Sequence, residues 1–208
     1  MQKFKITALL IVALALSACA STQRLSDADR ASTKTVAIGG TVQKGDLFLL
    51  APGGASIGLM FGALGGAAAS GSLENDRTAF GNFLQANSVS VDAIVRDEFE
   101  KVLRESGKVT VAAPGNASLP VLKLSIPQYG FGVTHLMSSN VVPVMRIKGE
   151  LTDGAGKVLW SDSEGMLPSI ASPMESTTWQ RLHDDPKQIE QEWRKAAHYL
   201  AKKVVDTL

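Results

Sequence analysis

The chain has one cysteine, Cys19, and it closes the run Leu16-Ser17-Ala18-Cys19 at the end of an uncharged apolar stretch, Ile6 to Leu16. Lys3 and Lys5 precede that stretch, which is too short to span a bilayer as a stable helix. A basic start, an apolar core of about 7–15 residues and a small-residue exit make up a secretory signal peptide. An exported chain with a single cysteine has no intramolecular disulfide, so the sulfur needs another use. The other reactive residue types assemble into nothing so definite. No Gly-x-Ser-x-Gly elbow occurs, and Gly53-Gly54-Ala55-Ser56-Ile57-Gly58, the nearest approach, lacks a strong strand before it. His183 precedes Asp184 and Asp185, a set that could ligate a metal, but acids at a helix start are favoured there without one. His135 lies in a Thr-His-Leu loop or strand end, and His198 sits at the boundary of an apolar helical stripe. The neighbouring carboxylates Asp97 and Glu98 fall on the wet side of a helix. No catalytic set, metal site or cofactor motif is expected. Trp179, beside Thr177, Thr178 and Gln180, is the candidate for a surface contact with a partner, whereas Trp160 and Trp193 fall in periodic patterns and belong to the core.

The Leu16-Ser17-Ala18-Cys19 run at this distance from Met1 resembles the lipobox of bacterial lipoproteins. That resemblance implies a diacylglyceryl thioether on Cys19, cleavage before it and acylation of the new amino terminus. Residues 1–18 would then be the signal and residues 19–34 the lipid anchor and a flexible tether. Each buried methylene contributes about 0.8 kcal/mol, so three chains hold a protein far more firmly than one. Ala20 and Ser21 follow the cysteine, and the absence of Asp there implies, in a Gram-negative cell, an outer-membrane location facing the periplasm.

Composition narrows the partners. The chain carries a formal net charge of +1, and loss of Lys3 and Lys5 with the signal turns this to −1. No Lys/Arg run marks a nucleic-acid or polybasic membrane surface. Hydrophobic residues at 45% against 20% charged suit a globular domain with a real core, placed at residues 35–208. Inside it lies an apolar insert at 47–73 with no charged residue, in which Gly54, Gly58, Gly62 and Gly66 recur every fourth position. On a helix those glycines share one face and would let a second helix approach closely, as in the glycine-zipper segments of membrane-associated bacterial proteins, which the run resembles. The alternative is a glycine-rich loop or short helix folded onto the domain. The run has no Gly-Lys-Ser/Thr ending, so it is not a phosphate loop.

The elements that would position these features follow from periodicity. Thr35 to Gly39 is a short strand. Val91, Ile94, Val95, Phe99, Val102 and Leu103 make the apolar stripe of a helix that Ser88 or Ser90 can cap and Gly107 can end. Lys108 to Ala112 is a strand, and a second alternates through Leu122, Leu124 and Ile126, with Tyr129, Phe131 and Val133 available to continue it past Pro127. Met145, Ile147, Gly149 and Leu151 alternate with polar residues, Asp153 to Gly156 is turn chemistry, and Lys157 to Ser161 returns as the hairpin partner. Residues 164–184 read as irregular. Asp185-Pro186 opens a final helix buried through Ile189, Trp193, Ala196, Ala197, Leu200 and Val204. The expected fold is α+β: a two-layer sandwich with a mostly antiparallel sheet of 4–5 strands, two amphipathic helices on one face and the glycine-rich insert.

The first helix, the Asp153-to-Trp160 turn and strand, and the closing helix resemble the periplasmic domain shared by the curli-secretion lipoprotein, the lipoprotein activators of penicillin-binding proteins and the amino-terminal domain of the Tol β-propeller protein. The resemblance implies a non-enzymatic envelope assembly or maintenance factor with an envelope protein partner. Two alternatives stay open, a membrane-active or pore-forming homo-oligomer packed through its glycines and, less favoured, a periplasmic hydrolase.

Overall fold

The computed structural model describes residues 22–54, 57–61, 73–112, 118–169 and 171–208. Among these, the strands are β1 (Thr35–Ile38), β2 (Gln43–Leu50), β3 (Thr110–Val111), β4 (Val121–Val133), β5 (Asn140–Thr152), β6 (Val158–Met166) and β7 (Thr177–Thr178). The helices are α1 (Asp27–Ser32), α2 (Gly58–Phe61), α3 (Leu73–Ala86), α4 (Val91–Ser106), α5 (Trp179–Asp184) and α6 (Pro186–Asp206). The architecture is α+β, one seven-stranded mixed sheet in the order β3-β1-β4-β5-β6, with β2 beside β4 and β7 beside β5.

The long strands β4, β5 and β6 are antiparallel, whereas β1 and β2 lie in succession along one side of β4 and pair with it in parallel. The sheet is therefore larger and less antiparallel than the local pattern suggests. Alternation along a strand reports which face is buried but says nothing about the direction of its neighbour.

β4 contains the point where the sequence pattern changes parity. Leu124 and Ile126 are buried on even positions, then Phe131 and Val133 on odd ones. One face can receive both sets only if one residue is inserted. The pairing with β5 slips between Ser125 and Gln128, a bulge that holds Pro127, which has no N–H to contribute to a ladder.

Over the sheet lie α4 and α6, packed on each other, with α6 covering β5 and β6. α4 ends at Gly107, in the left-handed conformation at φ 64. Ser90 occupies its N-cap without a side-chain bond to the helix, and its hydroxyl bonds Asp92 Oδ1 instead at 2.8 Å. Asp185 caps α6 as expected, accepting from the Lys187 N–H, with Pro186 opening the helix. Trp160 and Trp193 are fully buried. Trp193 stacks on Phe131 at 5.6 Å and donates from Nε1 to the Gly130 carbonyl at 3.2 Å. Trp160 fits because residue 149 is glycine: a Cβ there would stand 2.9 Å from the indole.

Other elements were not expected. α3 occupies the polar group that the sequence places at the end of the insert, and it buries Ala79, Phe80, Phe83 and Leu84. Residues 164–184, expected to be irregular, hold the end of β6, β7 and α5.

Candidate anchoring and contact surfaces

Cys19, Gly62 and Gly66 lie outside the described residues, which begin at Thr22, three positions after Cys19, and flank the two glycines at Phe61 and Leu73. Three positions after Cys19, the Thr22 hydroxyl donates to Asp162 Oδ1 at 3.2 Å, and Gln23 forms a two-way backbone bridge with Ser161 at 2.8 and 3.0 Å. Leu25 is buried, and α1, capped by Ser26, sends the Arg30 guanidinium to the carbonyl of Leu208. The segment expected to be a flexible tether through residue 34 is thus folded onto the domain from Thr22. Its low hydrophobicity conceals the buried Leu25 and the backbone bonds that hold it.

Asp162 is the joint. It is buried, and its carboxylate accepts from Thr22, from the Ser163 N–H at 2.9 Å and from the Thr207 hydroxyl at 2.8 Å. Thr207 in turn accepts from Trp160 Nε1 at 3.2 Å. One carboxylate therefore ties together the start of the domain, edge strand β6 and the end of α6. A buried carboxylate is tolerated where its lone pairs are matched by donors in this way.

The glycine-rich insert divides. Leu47 to Leu50 belong to β2 and pair with Tyr129 to Gly132. Gly54 ends a tight turn, Pro52–Gly54, in which Gly53 takes φ 59, and Gly58 opens α2. The buried Asp76 of α3 holds the entry to α2, accepting from the Gly58 N–H at 2.7 Å and the Ile57 N–H at 3.2 Å. Phe61 then enters an aromatic cluster, 4.9 Å from both Phe80 and Phe83, 6.0 Å from Trp179 and 5.6 Å from His183. The entry to the segment, through Phe61, is domain core, so residues 47–73 do not form one continuous helix. Among the described residues, no helix is long and apolar enough to cross a membrane.

Trp179, expected as a surface contact, is 5% exposed and packs against Phe61, Phe80 and Phe131. Its polar neighbours misled: Thr178 caps α5, and Trp179 faces inward from that helix together with Leu182. Of the carboxylate pair, Asp97 is exposed, but Glu98 is not solvated; it faces α6 and takes Arg194 Nη1 at 3.3 Å and His198 Nδ1 at 3.2 Å. Asp184 ends α5 rather than starting a helix. Bonds from Gln180 and then from His183 hold its carboxyl below the ordinary range.

Among the described residues, no histidine is bonded to both a serine and a carboxylate, and no group of three or more His, Cys, Asp or Glu is placed to share a metal ion. His135 lines a pocket of about 290 Å³ with Ser138, Asn140, Ser169 and Ser172. That pocket offers hydroxyls without a carboxylate to orient the imidazole.

Two PelC structures are among the solved structures similar to the chain. The PelC dodecamer from Paraburkholderia phytofirmans is 15% identical over 90% of this chain and 94% of that one, with a TM-score of 0.41. A leucine-to-methionine variant of that dodecamer is 18% identical over 90% and 91%, with a TM-score of 0.37. No family model matches the chain, and no curated protein matches it in sequence.

Proposed function

We propose that the chain is a lipid-anchored envelope protein that works by contact rather than by catalysis, held at Cys19 on the periplasmic face of a bacterial outer membrane. The observation that carries this is Leu16-Ser17-Ala18-Cys19 at the end of a signal-like run, with Thr22, three positions on, bonded to Asp162 of the domain. Those two features leave Cys19 a single short step from the domain and give its sulfur the use that pairing with another cysteine cannot. Fold alone does not set function, so the role rests on the anchor. The packing of Phe61 and the Asp76 clamp weigh against the pore reading, because they commit the entry of the glycine segment to the core.

The test is crosslinking in cells, followed by purification of the chain from solubilised envelope. Recovery of one envelope protein at constant ratio, lost when Cys19 is replaced by alanine, is expected. Recovery of none above background would remove the contact role, and sedimentation of the solubilised chain would show whether a second copy is the partner.

A further inference from the structure

Three stretches that are separate in sequence carry no charged residue: 47–73, Leu124 to Met145, and Gly165 to Met174. Parts of all three meet at one end of the sheet. Leu47 to Leu50 pair with Tyr129 to Gly132, the Gly53 N–H donates to the Leu136 carbonyl at 2.8 Å, and the Pro168 ring packs over Gly132. From this end project Leu136 and Met137, at the tip of the β4–β5 hairpin, and Leu167, just past β6, exposed by 66%, 88% and 63%. A tip in water has no reason to exclude every charge while displaying its largest apolar side chains. The boundary between lipid headgroups and acyl chains takes up such side chains, and charges at the same depth would resist seating there.

The attachment geometry says which surface this tip meets. Three residues from Cys19 to Thr22 span at most about 10 Å. Thr22 is held at Asp162 on β6, which ends the main sheet order, and Asp162 pairs with Gly149 of β5. From Gly149 to Asn140 along β5 is roughly 30 Å at 3.3 Å per residue. A lipid on Cys19 therefore brings the bilayer against the β6 edge, and the hairpin tip reaches the same bilayer if the strands lie along its surface. Between the two points β6 runs through Ser163 and Gly165 toward Leu167. Its Glu164 is turned to Lys203 at 4.0 Å.

We propose that the domain lies on the lipid surface along the β6 edge, with Leu136, Met137 and Leu167 seated in the headgroup region; this rests on lipidation of Cys19. The test uses the full lipidated chain in vesicles of phosphatidylethanolamine and phosphatidylglycerol. With the Cys19 sulfur in a thioether, Met137→Cys, Leu167→Cys and, as a remote control, Glu105→Cys each supply the one free thiol for an environment-sensitive fluorophore. Quenching by a lipid with a nitroxide near the headgroup is expected at 137 and 167 and not at 105. If the chain floats with the vesicles but 137 and 167 are quenched no more than 105, the docking is wrong and the anchor stands. A blue shift at 137 without quenching, growing with protein density, would assign the tip to a second copy and also overturn the docking. A chain that does not float and lacks the mass of the lipid would remove the anchor and the docking together.

Discussion

Replacing Phe61 by alanine separates a folded entry to the glycine segment from one that belongs to lipid. Phe61 is 2% exposed, with four aromatic neighbours at 4.9 to 6.0 Å. Truncating a phenylalanine in such a site costs about 3–5 kcal/mol, because the transfer energy is lost and a rigid ring cluster collapses poorly around the gap. For a domain of this size each kcal/mol lowers Tm by roughly 2–4 °C, so a fall of about 6–20 °C is expected. The ceiling is set locally: α2 is only four residues long, and the domain can release it once the remaining contacts cost more than its detachment. The assay is thermal and urea unfolding of a lipid-free chain with the signal removed and Cys19→Ala, together with amide exchange at 57–61. Leu73→Ala, at a side chain 64% exposed, should move stability by less than about 0.5 kcal/mol and serves as control. A fall in Tm below about 2 °C for Phe61→Ala, with an unchanged urea slope, would refute the packing.

Asp76→Ala removes the acceptor for two N–H groups at the entry to α2; a bond to a charged group is worth about 1.5–3 kcal/mol, and faster amide exchange at Ile57 and Gly58 should accompany the loss. Gly130→Ala should be among the most damaging single changes, beyond about 4 kcal/mol in urea unfolding, since φ is 144 and the new Cβ would fall 1.8 Å from the Phe48 carbonyl oxygen on β2. Gly81→Ala, in the middle of α3 with open space where its Cβ would go, should instead stabilise by about 0.5–1 kcal/mol in the same assay. Burial raises the Tyr129 phenol above its ordinary 10.0, with Lys44 opposing. The folded state therefore favours the neutral phenol, and its stabilising contribution is intact below pH 10 and lost as pH rises beyond it. Stability of the native chain should fall more steeply above pH 10 than that of Tyr129→Phe, and parallel curves would contradict this.

What the sequence shows of this molecule depends on whether a pattern is local. The stripe through Ile94, Phe99 and Leu103, the cap at Asp185-Pro186 and the turn after Asp153 are complete within a few residues, and each appears where periodicity places it. In the turn, Asp153 Oδ1 accepts from both Ala155 and Lys157. α3 was legible in principle: Ala79, Phe80, Phe83 and Leu84 have helical spacing, but Asn75, Thr78, Gly81 and Asn82 dilute it, and the apolar run before it draws the boundary away. β2 was hidden because Leu47 to Leu50 merge into the same run, and its partner lies some eighty residues further on in β4. Parallel pairing and the seat of Trp179 are products of distant chain, and no local signal encodes them. The reverse holds for the anchor, where a four-residue motif carries the reading.

Mass analysis of the N-terminal peptide from chain extracted out of native membranes tests that reading most directly. The account predicts a peptide that begins at Cys19, bears a diacylglyceryl thioether and an N-acyl group, and is absent from the Cys19→Ala chain. A peptide that retains residues 1–18, or a Cys19 that reacts as a free thiol while the chain still sediments with the membrane, would contradict it.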